Sequence, residues 1–238
     1  MKTFKTALAC MLLCICIAGC GKRENQGASL TEEQNRAKIQ LESQMKAVAE
    51  TNRTYHAMDN TMLLKKLMEQ SNAQQEPFNS LAYRELKTRT DVDSQSILAL
   101  VKDNDNATGL LPLLLLRKLD NKTYLDVPAE SRAKILTDAL QGSKYFNTWG
   151  LPNFHLEDAS LALIEVGTSA IPALKRMLSY TRPAPVFGSQ EYMVYKLYNY
   201  RLCDYALFFL ERIEGNREFQ LQKSIQERDA EIKKIAGE

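Results

Sequence analysis

Five cysteines occur in this 238-residue chain, and four of them, Cys10, Cys14, Cys16 and Cys20, fall within its first twenty residues. Close thiol spacing is the raw material of zinc and iron–sulfur sites, where several thiolates converge on one ion or cluster. Such a site needs polar loops to hold the thiolates. Here Ala7 to Ala18 is instead an unbroken run of apolar or small residues, so Cys10, Cys14 and Cys16 read as hydrophobic filler. The fifth, Cys203, lies in a strongly apolar helical stretch and reads as a buried small hydrophobe, whose thiol burial would keep unreactive. Of the two histidines, His56 lies near Asp59 and His155 near Glu157 and Asp158. Neither shows the H-E-x-x-H spacing that places two ligands on one helix face. Asp103-Asn104-Asp105-Asn106 resembles the start of a calcium loop. However, position 5 is Ala107, position 6 is Thr108 and position 12 is Leu114, so it reads as a polar turn. The chain has no G-x-S-x-G elbow and no glycine-rich phosphate loop. These spacings predict no metal and no catalytic residues.

The amino-terminal run has its own logic. Lys2 and Lys5 precede the apolar stretch, and no acidic residue appears before Glu24. A basic segment, a short apolar core and a small-residue site make a secretory signal. The run is shorter than the roughly 20 residues a membrane-spanning helix needs. It ends in Ile17-Ala18-Gly19-Cys20, which resembles the bacterial lipobox. That resemblance implies a signal peptide over 1–19, cleavage before Cys20, and a diacylglyceryl thioether and an N-acyl chain on Cys20. Several acyl chains hold a protein stably on a bilayer, where one does so only marginally. Gly21, in place of Asp, resembles lipoproteins sorted to the outer membrane. The expected location is therefore the bacterial cell envelope, on the periplasmic side of the outer membrane.

Lys2 and Lys5 account for the whole formal excess of +2, so the chain from Cys20 onward is formally neutral. That balance gives no electrostatic case for nucleic acid or for an anionic membrane surface. Cleavage leaves roughly 220 residues, enough for one large domain or two small ones. With Cys20 lipidated, Cys203 has no partner for a disulfide within the chain, so the fold rests on packing.

The elements predicted are helices throughout. Residues 20–29 read as a tether. Thr31-Glu32-Glu33-Gln34 matches a capping box, followed by a narrow stripe of Leu30, Ala37, Leu41, Met45 and Val48. A second helix runs from Asn60 to Gln70, and Ser71 to Glu76 reads as a polar linker. These two helices and the linker form an expected N-terminal segment, 30–76. Helices follow over 80–89, 94–102 and 109–119. The last of these carries LLPLLLL, apolar nearly all round and so buried. Another spans Pro128 to Gln141. No alternating strand pattern stands out. The predicted fold class is all-α, with a main domain over 77–215. Residues 216–238 read as a capping or protruding helix with a stripe of Leu221, Ile225, Ile232 and Ile235, able to pair with the first helix or to self-associate.

Leu111-Pro112-Leu113-Leu114 echoes Ile171-Pro172-Ala173-Leu174, each with proline in the first turn, where its missing amide costs nothing. The stretch from Ala159 to Leu174, ASLALIEVGTSAIPAL, is followed by a helix over Tyr200 to Gly215. Together they resemble the HEAT-like repeats of α-solenoids and of phycobilisome-lyase-type proteins. The likeness covers about 155–215 and is fainter over 78–142. It departs from the pattern in the long proline-containing loop from Thr181 to Glu191. It implies stacked helix pairs, none of which buries its stripe alone.

Six of the ten tyrosines lie between Tyr180 and Tyr205. Tyr195, Tyr198, Leu202, Tyr205 and Phe209 recur at helical spacing and read as one buried stripe. Tyr, Trp and Arg carry interface hot spots, so Trp149, Arg182, Phe187, Tyr192, Tyr200 and Arg201 are the candidate partner-binding residues. The expectation is a lipid-anchored, non-enzymatic module that binds a periplasmic protein. The alternative is an envelope enzyme or small-ligand binder with a pocket near His155 and Asp204, drawing on Glu157, Asp158 and Cys203. A self-associating structural subunit is the third reading.

Overall fold

The computed structural model describes residues 32–73 and 76–237. The expected signal peptide, Cys20, the tether and the Thr31 cap lie outside the described residues. Contacts divide the chain into two compact units between Ala49 and Glu50.

Residues 32–49 form the first part of helix α1 (Glu32–Ala57). The sequence from Glu32 to Ala57 contains no glycine or proline to stop it. No residue of α1 is buried, and Ile39, Met45 and Val48 are exposed. Of the expected stripe, Ala37, Met45 and Val48 are exposed and Leu41 is half-buried, while Leu30 lies outside the described residues.

In the second unit Asp59 caps α2 (Asn60–Asn72) by accepting from the Met62 amide. Helices α3 (Leu81–Leu86), α4 (Ser94–Asp103), α5 (Leu110–Leu119), α6 (Asn121–Leu125) and α7 (Ala129–Gly142) follow. Ser80, Asp93 and Asp120 cap α3, α4 and α6 in the same way. The leucine-rich α5 is buried from Leu111 to Leu116 and packs on α2, α3, α4, α6, α7 and α8 (Asp158–Val166). Such a helix must be surrounded, because no side of it tolerates water. Leu63 and Leu67 of α2 are buried in the same core as Ala82 and Leu86, so a domain boundary at 76/77 does not separate α2 from it.

Between α7 and α8 a two-residue antiparallel hairpin, β1 (Gly150–Leu151) with β2 (His155–Leu156), departs from a purely helical reading. It is too short to show alternation in the sequence. Gly150 has φ 74°, and a Cβ there would collide with the His155 carbonyl. Helix α8 ends at Gly167, a 3-10 turn follows, and Pro172 sits in the first turn of α9 (Ile171–Met177).

The expected aromatic stripe is split between two helices. α10 (Ser189–Tyr198) stops at the left-handed Asn199, and α11 starts afresh (Leu202–Ile213). Tyr198, Leu202, Tyr205 and Phe209 are buried all the same, while Tyr195 is half-buried. α9 packs along α11. The last helix, α12 (Ile225–Ala236), belongs to this unit: Leu221 ahead of it is buried, and Ile232 and Ile235 pack on the core.

Candidate functional site

The segment 143–157 and the loop 181–188 are organised around each other. Loop 181–188 runs extended rather than free. The Ala184 amide donates to the Tyr200 carbonyl and the Phe146 amide to the Pro185 carbonyl, while Ala184 and Val186 are buried. At its end the Asn147 side chain grips the Phe187 backbone twice, its amide donating to the carbonyl at 2.7 Å and its oxygen accepting from the amide at 3.0 Å. Phe187 is therefore held in place although the residue is 43% exposed.

Several candidate contact residues are structural instead. Trp149 is fully buried, its indole N–H donating to Ser143 Oγ and its ring packed edge-on against Phe209. Tyr200 is fully buried too, stacked on Tyr198 and donating its hydroxyl to the Pro152 carbonyl at 2.7 Å. Arg201 is tied to Asp204 and Asp229 at 2.8 and 2.7 Å, and the hydrogen bonds to Asp204 hold its proton more tightly than usual. Arg182 donates to the carbonyls of Gln141 and Ser143 and lies over the Phe146 ring, so it finishes the C-terminal end of α7. Sequence spacing could not separate these from surface residues, because Trp, Tyr and Arg serve both roles. Phe187 and Tyr192 are the two candidates that are exposed.

His155 and Asp204, the residues of the alternative reading, stand in different surroundings. His155 is exposed on β2. Asp204 is completely buried, and its carboxylate is consumed by Arg201, by the Arg201 backbone amide and by the equally buried Arg228 at 3.0 Å. Cys203 beside it is buried, and burial together with the Asp204 charge pushes its thiol up to about 12. A thiol so disposed is a poor nucleophile.

Chemistry gathers elsewhere, at residues that sequence reasoning passed over. A cleft of about 240 Å³ opens between the end of α2, the start of α5 and the end of α7. Leu110, Leu111, Ala139 and Pro77 give it apolar walls, and Glu76 and Thr148 line it as well. Thr148 is only 6% exposed, yet its hydroxyl has no hydrogen-bond partner among the described residues. Oε2 of Glu76 is enclosed and equally unpartnered there. Burial pushes the Glu76 carboxyl up to about 7, against the opposing pull of the Thr148 backbone amide. At the mouth stands Tyr145, exposed, with its ring edge-on to Phe187 at 5.5 Å. Phe78, also exposed, lies 5.3 Å from Phe187 on the other side. Three exposed aromatics thus touch beside a cleft with unsatisfied polar atoms. Glu76 reads as linker in the sequence, and Phe78, Tyr145 and Phe187 are too far apart in the chain for any local signal.

Comparison with protein-family models, with curated proteins and with solved structures found no match for this chain. Among the described residues no group of three or more His, Cys, Asp or Glu side chains is placed to hold a metal ion. No helix among them is long and apolar enough to cross a membrane.

Proposed function

We propose that this protein is a lipid-anchored, non-enzymatic binding module of the bacterial envelope. Lipidated Cys20 would hold it on the periplasmic side of the outer membrane, and its helix pairs would stack as in HEAT-like arrays. Its contact surface for a periplasmic protein is the aromatic trio Phe78, Tyr145 and Phe187, extended along α10 by Tyr192. The observation that carries this reading is the exposed Phe187 ring fixed through its backbone by Asn147 and flanked by two further exposed rings. Exposed aromatics held rigid lose little freedom on binding, which is what makes them effective anchors. Contiguous exposed apolar surface on a folded domain marks interaction sites.

The test is in-cell crosslinking and affinity capture of the full chain, with Cys20→Ala and Phe187→Ala versions alongside. One protein recovered in comparable amount with the parent, and lost with both variants, supports the reading. Equal recovery with Phe187→Ala removes this surface from it, and recovery of nothing but the chain itself favours the self-associating subunit.

A further inference from the structure

Helix α10 turns a face to water that the aromatic trio does not use. Met193 is 69% exposed and Leu197 58%. Four residues apart, they lie on one side of the helix. Lys196 is exposed beside them, its ammonium 5.4 Å from the centre of the Tyr192 ring. Phe154, exposed after β1, stands edge-on to Tyr198 at 5.7 Å and so adds a ring at the end of α10. Apolar side chains left together in water on a folded domain mark a contact. The residue types separate this face from the trio. Phe187 is gripped through its backbone by Asn147, as suits an anchor for a shaped partner. Leucine is under-represented among such anchors. A helix with leucine and an aromatic on its apolar side, and a lysine reaching back to the polar boundary, suits a lipid interface instead. The helix carries one acid, Glu191, and one base, Lys196, so the attraction is apolar rather than electrostatic. The occupant follows from where the chain ahead of α1 ends. On the lipid-anchor reading above it ends at acylated Cys20, which residues 21–31 join to Glu32. A bilayer is then the surface to which every copy is tied. Tethering presents that surface at about millimolar effective concentration, enough to populate a weak apolar contact.

We propose that α10 rests on the bilayer that holds the lipid anchor, with Met193, Leu197 and Phe154 entering the boundary between headgroups and acyl chains and with Lys196 and Tyr192 at its polar edge. This rests on the lipid-anchor reading for the nearness of the bilayer, and it uses none of Phe78, Tyr145 and Phe187.

The test reads depth at one labelled position. Leu197→Cys supplies the thiol, because Cys203 is buried with its own thiol pushed up to about 12, and the thioether takes up the sulfur of Cys20. Lys118→Cys, at an exposed position on α5, is the reference. Each mature lipidated chain is labelled with a fluorophore and reconstituted in phosphatidylcholine vesicles, with and without brominated acyl chains as quenchers. Quenching is expected to be several-fold stronger at 197 than at 118, and adding anionic lipid should leave that difference unchanged. Met193→Glu in the Leu197→Cys chain should abolish the difference while a melting curve shows the fold intact, since residue 193 faces water. Equal quenching at the two positions, a difference that needs anionic lipid, or one that survives Met193→Glu would each overturn the proposal. Equal quenching together with partner capture lost in Met193→Glu would give the face to the protein partner instead. If quenching fails while capture still depends on Phe187, the bilayer contact falls and the binding module stands. A mature chain whose mass shows no acyl groups would sink the anchor. That chain is then mixed with vesicles at millimolar lipid, where stronger quenching at 197 upholds the contact and equal quenching overturns it.

Discussion

A carboxyl group such as that of Glu76, enclosed at one oxygen with no donor among the described residues, favours its neutral form, because ionisation there forfeits hydration that the Thr148 amide replaces only in part. Its folded value of about 7 lies above its ordinary 4.5. Linkage then fixes the sign. The contribution of this group to stability is full below the ordinary value, declines as the pH rises through that window, and is lost above about pH 7. Glu76→Gln keeps the shape and removes the charge. It should raise the melting temperature at about pH 8 and leave it nearly unchanged at about pH 4. Melting curves of both forms at the two pH values check this. A rise of equal size at both would mean that the charge is not the cause. The same burial argument accounts for Cys203, whose apolar neighbours in the sequence already marked it as a packed thiol.

At the scale of elements, the carboxyl-terminal helix is fastened by charge as well as by packing. Arg228 of α12 is fully buried, donates to the carbonyls of Tyr198, Gln222 and Lys223, and pairs with Asp204 at the start of α11. Breaking a buried pair from one side strands the other charge, which costs about 3–5 kcal/mol. Asp204→Asn should therefore destabilise the chain by about that amount in urea melts. Adding Arg228→Met should restore part of it, since removing both charges leaves neither unpaired. A double variant no better than the single would show that Arg228 acts through its carbonyl contacts instead. Helix existence was legible here from periodicity, and so was the burial of Leu111–Leu116. The split between α10 and α11 was not, because a left-handed Asn199 interrupts a stripe whose apolar spacing continues across it.

For the molecule as a whole, the division between Ala49 and Glu50 falls inside a continuous helix. α1 contributes no buried residue, and burial of apolar area is what most of the stability of a helix in a folded protein comes from. A chain beginning at Glu50 should thus melt within about 2 °C of one beginning at Glu32, measured by circular dichroism. Residues 50–57 keep their ties in that chain, including the Gln70 amide donating to the Tyr55 hydroxyl and the His56–Glu85 pair at 2.9 Å. A drop well beyond that would mean that residues 32–49 stabilise the fold after all. Their exposed apolar residues Ile39, Met45 and Val48 are the feature to follow in any self-association of the full chain.

The amino-acid sequence by itself determined the helical character, the leucine-rich centre and the burial of Cys203. Each of these is written in neighbouring residues, through periodicity or local apolarity. Only the tertiary structure decided which aromatic and charged side chains face water. Trp149, Tyr200 and Arg201 were claimed by buried contacts with residues far along the chain, while Phe78, Tyr145 and Phe187 were brought together from three separate segments. Glu76 and Thr148 acquired their character in the same way. A carboxyl or a hydroxyl is ordinary in a linker, and becomes chemically distinctive when distant helices enclose it and leave an oxygen without a partner among the described residues.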